Sequence, residues 1–321
     1  MEATATPQGL RRTRHALDRF GDKALYVITG SAAVLTLVII ALIIWKVVEG
    51  AWPAINKFGI SFVWSATWNP VMEVFGAREF VLGTLLTSFG ALLIAAPLSI
   101  AIALFLTELA PPSVRSPVGS LIEMLAAVPS VVVGLWGIFV LGPFIRADLG
   151  PFLHDYLGWI PLFATTPQQT GVLAAILVLA MMMVPITTSI CRELFLTVPR
   201  DVKDASIGLG ATRWETIRGV IVPFVRGGVV AGITLGLGRA LGEAIAVTQV
   251  IGNSLRPLHF SLFEPGNSLA SQLASSYQSA PTNIEISSLV YLGLILLVIT
   301  FTTNFVAQRI VHRFEKQTGA R

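Results

Sequence analysis

Cysteine, histidine and charge are all scarce in this chain of 321 residues. The single cysteine, Cys191, makes no internal disulfide. The four histidines, His15, His154, His259 and His312, fall in separate segments without metal-ligand spacing. No Gly-Lys dipeptide occurs, so the chain has no P-loop with which to hydrolyse ATP. Charged residues make up 12% of the chain, against about a quarter in an average soluble protein. No basic stripe interleaved with aromatics exists, which argues against nucleic acid as a partner.

What the chain has instead is apolar length. Hydrophobic residues reach 54% and the mean hydropathy is +0.75. Runs of about 20 apolar residues are long enough to cross a bilayer. Six are found: Ala24 to Val48, Phe80 to Leu106, Val118 to Ile145, Thr170 to Ile190, Val225 to Ile251 and Ser287 to Ile310. None of them holds a histidine or aspartate, so an intramembrane hydrolase lacks its nucleophile-activating base. The expectation is an all-α, polytopic transmembrane helical bundle of six spans. The first run follows a basic tail and is too long for a signal-peptide core, so it reads as a retained anchor.

Orientation follows from the basic residues. Sixteen of the 22 Lys and Arg fall in the amino-terminal tail, the segments joining spans 2 to 3 and 4 to 5, and the carboxy-terminal end. Five fall on the other side: Lys46, Lys57, Arg78, Arg146 and Arg256. The bias puts both termini in the cytoplasm and accounts for most of the net charge of +4. The expected organisation is a cytoplasmic tail over 1–23, an anchor over 24–48, an external segment over 49–79, a core membrane domain over 80–311 and a cytoplasmic tail over 312–321.

Within that core, 192–224 is too long for a simple helix connection. Pro199 stops the preceding helix and Asp201 stands near the start of the next. Gly208 and Gly210 permit a sharp turn, and ATRWETIRGVIV predicts a second short helix ending before Pro223. The segment DASIGLGATRWETIRGVIVP then resembles the EAA loop of ABC-importer permeases. Asp204, Ala205 and Ser206 stand at the E-A-A positions, Gly210 at the glycine, and Val220, Val222 and Pro223 at I-x-L-P. Two further segments, WNPVMEVFGAREFVLGTLLTS and EMLAAVPSVVVGLWGIFVLGP, resemble the permeases of high-affinity phosphate importers, the first of them the C-type subunit.

The resemblance implies a type I ABC-importer permease fold in a bacterial plasma membrane and no cofactor in this chain. It also implies a second, A-type permease subunit, a dimeric ATPase carrying ATP and Mg, an external phosphate-binding protein and inorganic phosphate as cargo. Asp204, Ala205, Ser206, Gly210, Arg213 and Pro223 would form the loop that seats in the ATPase.

The fifth span carries the chemistry. On a continuous helix Gly228, Gly232 and Gly236 lie at about 0°, 40° and 80°, and Arg239 and Glu243 at about 20° and 60°. The two charges share a face with glycines that let a neighbouring helix approach closely, so this face meets protein or a passage and not lipid. Two roles stay open. Arg239 and Glu243 form an ion pair that fixes helix register, or, as the resemblance implies, Arg239 offers its planar fork to phosphate while Glu243 is its alternative partner. Thr84 and Ser88, on one face of span 2, are weaker pathway candidates. The coupling loop does not report the cargo, so molybdate or sulfate remains an alternative. A proton-coupled secondary transporter is another, though no inverted repeat with a second charged, glycine-broken span is evident.

Overall fold

A computed structural model describes residues 8–257 and 261–318. The outermost parts of both tails, and residues 258–260 with His259, lie outside them. Regular structure among the described residues is helical, apart from one isolated bridge between Asn69 and Val74.

The chain divides into two units, Met1–Gly50 and Ala51–Arg321. The first is a single helix: α1 spans Gln8–Phe58, with its last turns in the second unit. Every side chain from 25 to 46 is exposed, and nearly all are apolar. A helix apolar all round with no protein covering it needs lipid as its solvent. It outlasts the expected 24–48 anchor at both ends, because hydropathy marks contact with lipid and not the limits of backbone hydrogen bonding.

In the second unit follow α2 (Ser61–Trp64), α3 (Arg78–Leu109), α4 (Pro112–Ala126), α5 (Ser130–Leu157) and α6 (Val172–Leu196). Then come α7 (Arg200–Gly208), α8 (Arg213–Gly242), α9 (Ile245–Val250), α10 (Leu269–Ser276) and α11 (Asn283–Thr318). The helices α1, α3, α5, α6, α8 and α11 are long and apolar enough to span a membrane, matching the expected six.

Two of the expected runs are interrupted. The run Val118–Ile145 breaks between Ala126 and Ser130, where Pro129 adopts an extended ψ of 138° and caps α5. The missing proline N–H and its steric effect on Val128 favour a break there. The run Val225–Ile251 breaks after Gly242, with Glu243 extended at φ −72° and ψ 113°. At its other end the helix starts early, at Arg213, and does not stop before Pro223. A π-type turn over Ile217–Ile221, with Val222 N–H donating to the Ile217 carbonyl, precedes Pro223. Widening the turn relieves the press of a proline ring on the carbonyl four residues earlier, so the helix continues.

Helix α6 is the axis of this unit, packed by α3, α4, α5, α8 and α9. Its contact with α8 uses the glycine stripe. A Cβ added at Gly228, Gly232 or Gly236 would lie 2.7, 2.7 and 2.6 Å from Leu194, Ile190 and Thr187 respectively. The expected close approach therefore exists, and α6 is the neighbour it admits. The start of α3 is packed by an aromatic cluster in which Trp68 meets Phe75 at 4.8 Å and Phe80 at 5.2 Å. Trp68 is buried there, whereas Trp45, Trp52 and Trp64 are exposed as an interfacial belt requires.

Candidate functional site

Arg239 sits one turn before the end of α8 and lines a crevice of about 70 Å³ with Leu125, Val128, Val133, Met182 and Pro185. It is the one charged group on a lining that is otherwise aliphatic or thioether. Two helix breaks meet near this crevice: the α4–α5 break supplies Leu125 to Val128, and the α8–α9 break follows directly on Arg239. The half-helices α5 and α9 are packed together through Gly134, where an added Cβ would lie 2.9 Å from the Ala246 Cα. Irregular backbone at membrane depth is tolerated where it is buried in protein or lines a wet cavity. The arrangement is one exposed guanidinium aimed from a helix end into a crevice walled by broken helices.

The structure does not bring Glu243 to Arg239. Because α8 ends at Gly242, the four-residue helical spacing between them is lost. The Glu243 Oε1 instead accepts the Ala246 N–H at 3.3 Å, capping the first turn of α9. Arg239 makes no hydrogen bond or ion pair among the described residues. The expected ion pair is therefore absent among the described residues, and the shared helical face is corrected to two separate positions. Run length hid the break, since the apolar pattern continues across it.

Thr84 and Ser88 lie on one face of α3, as expected, and both are buried. Thr84 is fully used: its Oγ1 donates to the Phe80 carbonyl at 2.8 Å and accepts the Leu269 N–H at 2.9 Å, holding the start of α10. It belongs to the scaffold that holds α10 against α3. Ser88 Oγ is buried with no hydrogen-bond partner among the described residues.

In the 192–224 segment the short helix α7 meets the start of the long helix α8 at a sharp turn. Helix α7 closes with the Ala211 N–H donating to the Ser206 carbonyl at 3.2 Å and the Gly210 N–H to the Ile207 carbonyl at 2.9 Å. That is a Schellman arrangement, and Gly210 supplies its left-handed residue at φ +89°. Thr212 then caps α8 in a reciprocal box with Glu215, with the Thr212 N–H donating to Glu215 Oε2 at 2.8 Å. Asp204, Ala205 and Arg213 are exposed. Leu209 at the turn is 91% exposed and Trp214 is 66% exposed. Ser206 faces inward, 3.1 Å from Thr216 on α8. Pro223 lies farther along, inside α8.

Sequence reasoning passed over the charged groups that tie α7 to α3, brace the end of α3 and join α6 to α4. Lys203 on α7 pairs with Glu108 at the end of α3, 2.6 Å apart. Arg115 donates to the carbonyls of Thr107 at 2.9 Å and Ala110 at 3.4 Å, and Arg192 on α6 pairs with Glu123 on α4 at 3.2 Å. The first and last of these contacts join residues far apart in the chain, and nothing local announces them.

Comparison with known proteins places this arrangement. The pattern of the family described as "Binding-protein-dependent transport system inner membrane component" matches residues 95–317. The chain belongs to that family, the membrane-spanning components of binding-protein-dependent transporters, and is a multi-pass membrane protein. Within it, the chain falls among the phosphate transport system permease proteins PstC. It is 43% identical to the protein of that name from Mesorhizobium japonicum, over 93% of this chain and 92% of the relative. The Pasteurella multocida PstC is 44% identical over 89% and 90%. PstC 2 of Mycobacterium tuberculosis is 38% identical over 91% and 92%. Among solved structures, a chain of a bacterial alginate ABC transporter in complex with its alginate-bound periplasmic protein superposes with a TM-score of 0.59. It is 15% identical and covers 91% of this chain and 98% of that one, a likeness of fold alone.

Proposed function

We propose that the chain is the membrane-spanning subunit of an ATP-driven importer of inorganic phosphate in a bacterial plasma membrane, and that Arg239 meets the anion midway. The observation that carries the role of Arg239 is its freedom: a guanidinium without a partner among the described residues faces a crevice at a helix break, and its planar fork suits two phosphate oxygens. The identity to PstC relatives across almost the whole chain supports phosphate over molybdate or sulfate. It likewise disfavours a proton-coupled carrier.

The rest of the machine lies on other chains. An A-type permease subunit supplies the other half of the passage, and an external phosphate-binding protein delivers the cargo. ATP and magnesium sit on a dimeric ATPase, so the whole complex is a phosphate-transporting ATPase although this chain is not. The exposed Leu209 and Trp214 beside Gly210 form an apolar knob suited to a groove on that ATPase.

The test is Arg239→Gln. Losing a charged, forked hydrogen bond is worth about 1.5–3 kcal/mol, so uptake falls by roughly one to two orders of magnitude while subunit yield and assembly stay unchanged. Glu243→Gln, whose amide oxygen still accepts the Ala246 N–H, retains most uptake. Uptake at the wild-type level in an Arg239→Gln complex refutes the anion contact.

A further inference from the structure

Helix α7 touches the bundle through few side chains. Of its nine residues only Lys203 and Ser206 are partly buried, one turn apart on the inward face. Ser206 reaches Thr216 on α8, the next helix in the chain. Lys203 reaches Glu108 on α3, with which α7 shares no connecting segment, and both side chains are only 17% exposed. The Lys203 ammonium also approaches the Phe195 carbonyl at 3.5 Å. Each attachment is made at a π-type turn: Glu108 lies within Phe105–Leu109, and Thr216 immediately precedes Ile217–Ile221. Such wide turns inside helices recur at functional positions. Arg115 holds the same end of α3 by its carbonyls, so that end is a small, closed polar joint.

We propose that Lys203 and Glu108 are positioning residues that carry movement of α7 to α3, a second route alongside the covalent path into α8. The proposal rests on the reading of 201–223 as the ATPase-coupling loop. A half-buried ion pair resists both separation and sliding, whereas an apolar contact at that place would slip. When the ATPase moves α7, the pair therefore draws the cytoplasmic end of α3 with it.

The experiment measures phosphate uptake and ATP hydrolysis together in the reconstituted complete complex. Lys203→Met and Glu108→Gln should each lower the uptake-to-hydrolysis ratio at least fivefold with assembly intact. The exchange Lys203→Glu with Glu108→Lys should restore at least half of it, and Lys203→Arg should keep it. Single variants with the wild-type ratio, or an exchange no better than the singles, overturn the proposal. If Lys203→Met does not assemble, Glu108→Asp decides: its charge is kept but its reach is shortened, so a lowered ratio supports the link and an unchanged one overturns it. Gly210→Asp serves as the benchmark. If it too leaves the ratio unchanged, the coupling role of the loop fails and the proposal with it; if it uncouples while Lys203→Met does not, only the ion-pair route is rejected.

Discussion

Gly83→Ala offers a sharp test of how the segment leading into α10 is fastened to α3. An added Cβ at Gly83 on α3 would stand 1.9 Å from the Asn267 carbonyl oxygen and 3.1 Å from its carbon. Contacts under 3.0 Å are not sustained, so the backbone at Asn267 must retreat by about 1.1 Å, the difference between the two values. A flexible side-chain tip could swing aside, but this is main chain held on both sides. Asn267 donates to Gln272 Oε1 at 2.8 Å and accepts the Ser268 N–H at 2.8 Å, and Leu269 donates to Thr84 at 2.9 Å. Overpacking costs typically 1–3 kcal/mol, and a rigid backbone obstacle puts this case near the top, at about 2–3 kcal/mol. For a unit of this size that lowers the melting temperature by roughly 4–12 °C. The chain carries its own reporter: Cys191 is its single cysteine and is fully buried, so a thiol-reactive dye signals only on unfolding. The assay needs a complex whose partner subunits lack cysteine. Gly30→Ala is the control, since nothing lies within 4 Å of its added Cβ. Equal melting of Gly83→Ala and the parent, or an equal loss in Gly30→Ala, would refute the reasoning.

Two more outcomes are expected. Thr84→Val removes the acceptor of the buried Leu269 N–H and should destabilise by about 1–3 kcal/mol, while uptake per assembled complex stays at the parent level; loss of uptake without loss of stability would return Thr84 to the passage. For orientation, cysteine at Ser279 should react with an impermeant thiol reagent in intact cells and cysteine at Ser116 only after permeabilisation, both positions being exposed. Labelling of Ser116 from outside overturns the charge-based topology.

The spans, the glycine face of α8 and the turn at Gly210 were legible because each is written in run length or short spacing. The break beyond Arg239 was not. Residues 243 to 251 carry the same apolar character as those before, and what holds α9 apart is its packing on Gly134, a residue of another helix. The α4–α5 break falls at Pro129, whose missing N–H favours an interruption, although the apolar run continues across it. The burial of Trp68 depends on Phe75 and Phe80 packing against it, which run length does not announce. The Lys203–Glu108 pair joins positions 95 apart in the chain, beyond any local pattern.

Helix α8 begins at the capped turn beside the exposed Leu209 and Trp214, and it ends one turn past Arg239 without an intervening break. The 27 residues from Arg213 to Arg239, 26 rises along the axis, make a rod of about 39 Å. Tilting such a rod by about 5° at its Arg213 end displaces its far end by about 3 Å, the length of one hydrogen bond. The interruption at Gly242 then acts as a clutch: α9, seated on α5, can stay in place while the guanidinium travels. In the role proposed for Arg239, grip on an anion and release of it become positions of one lever, worked from the other end of α8.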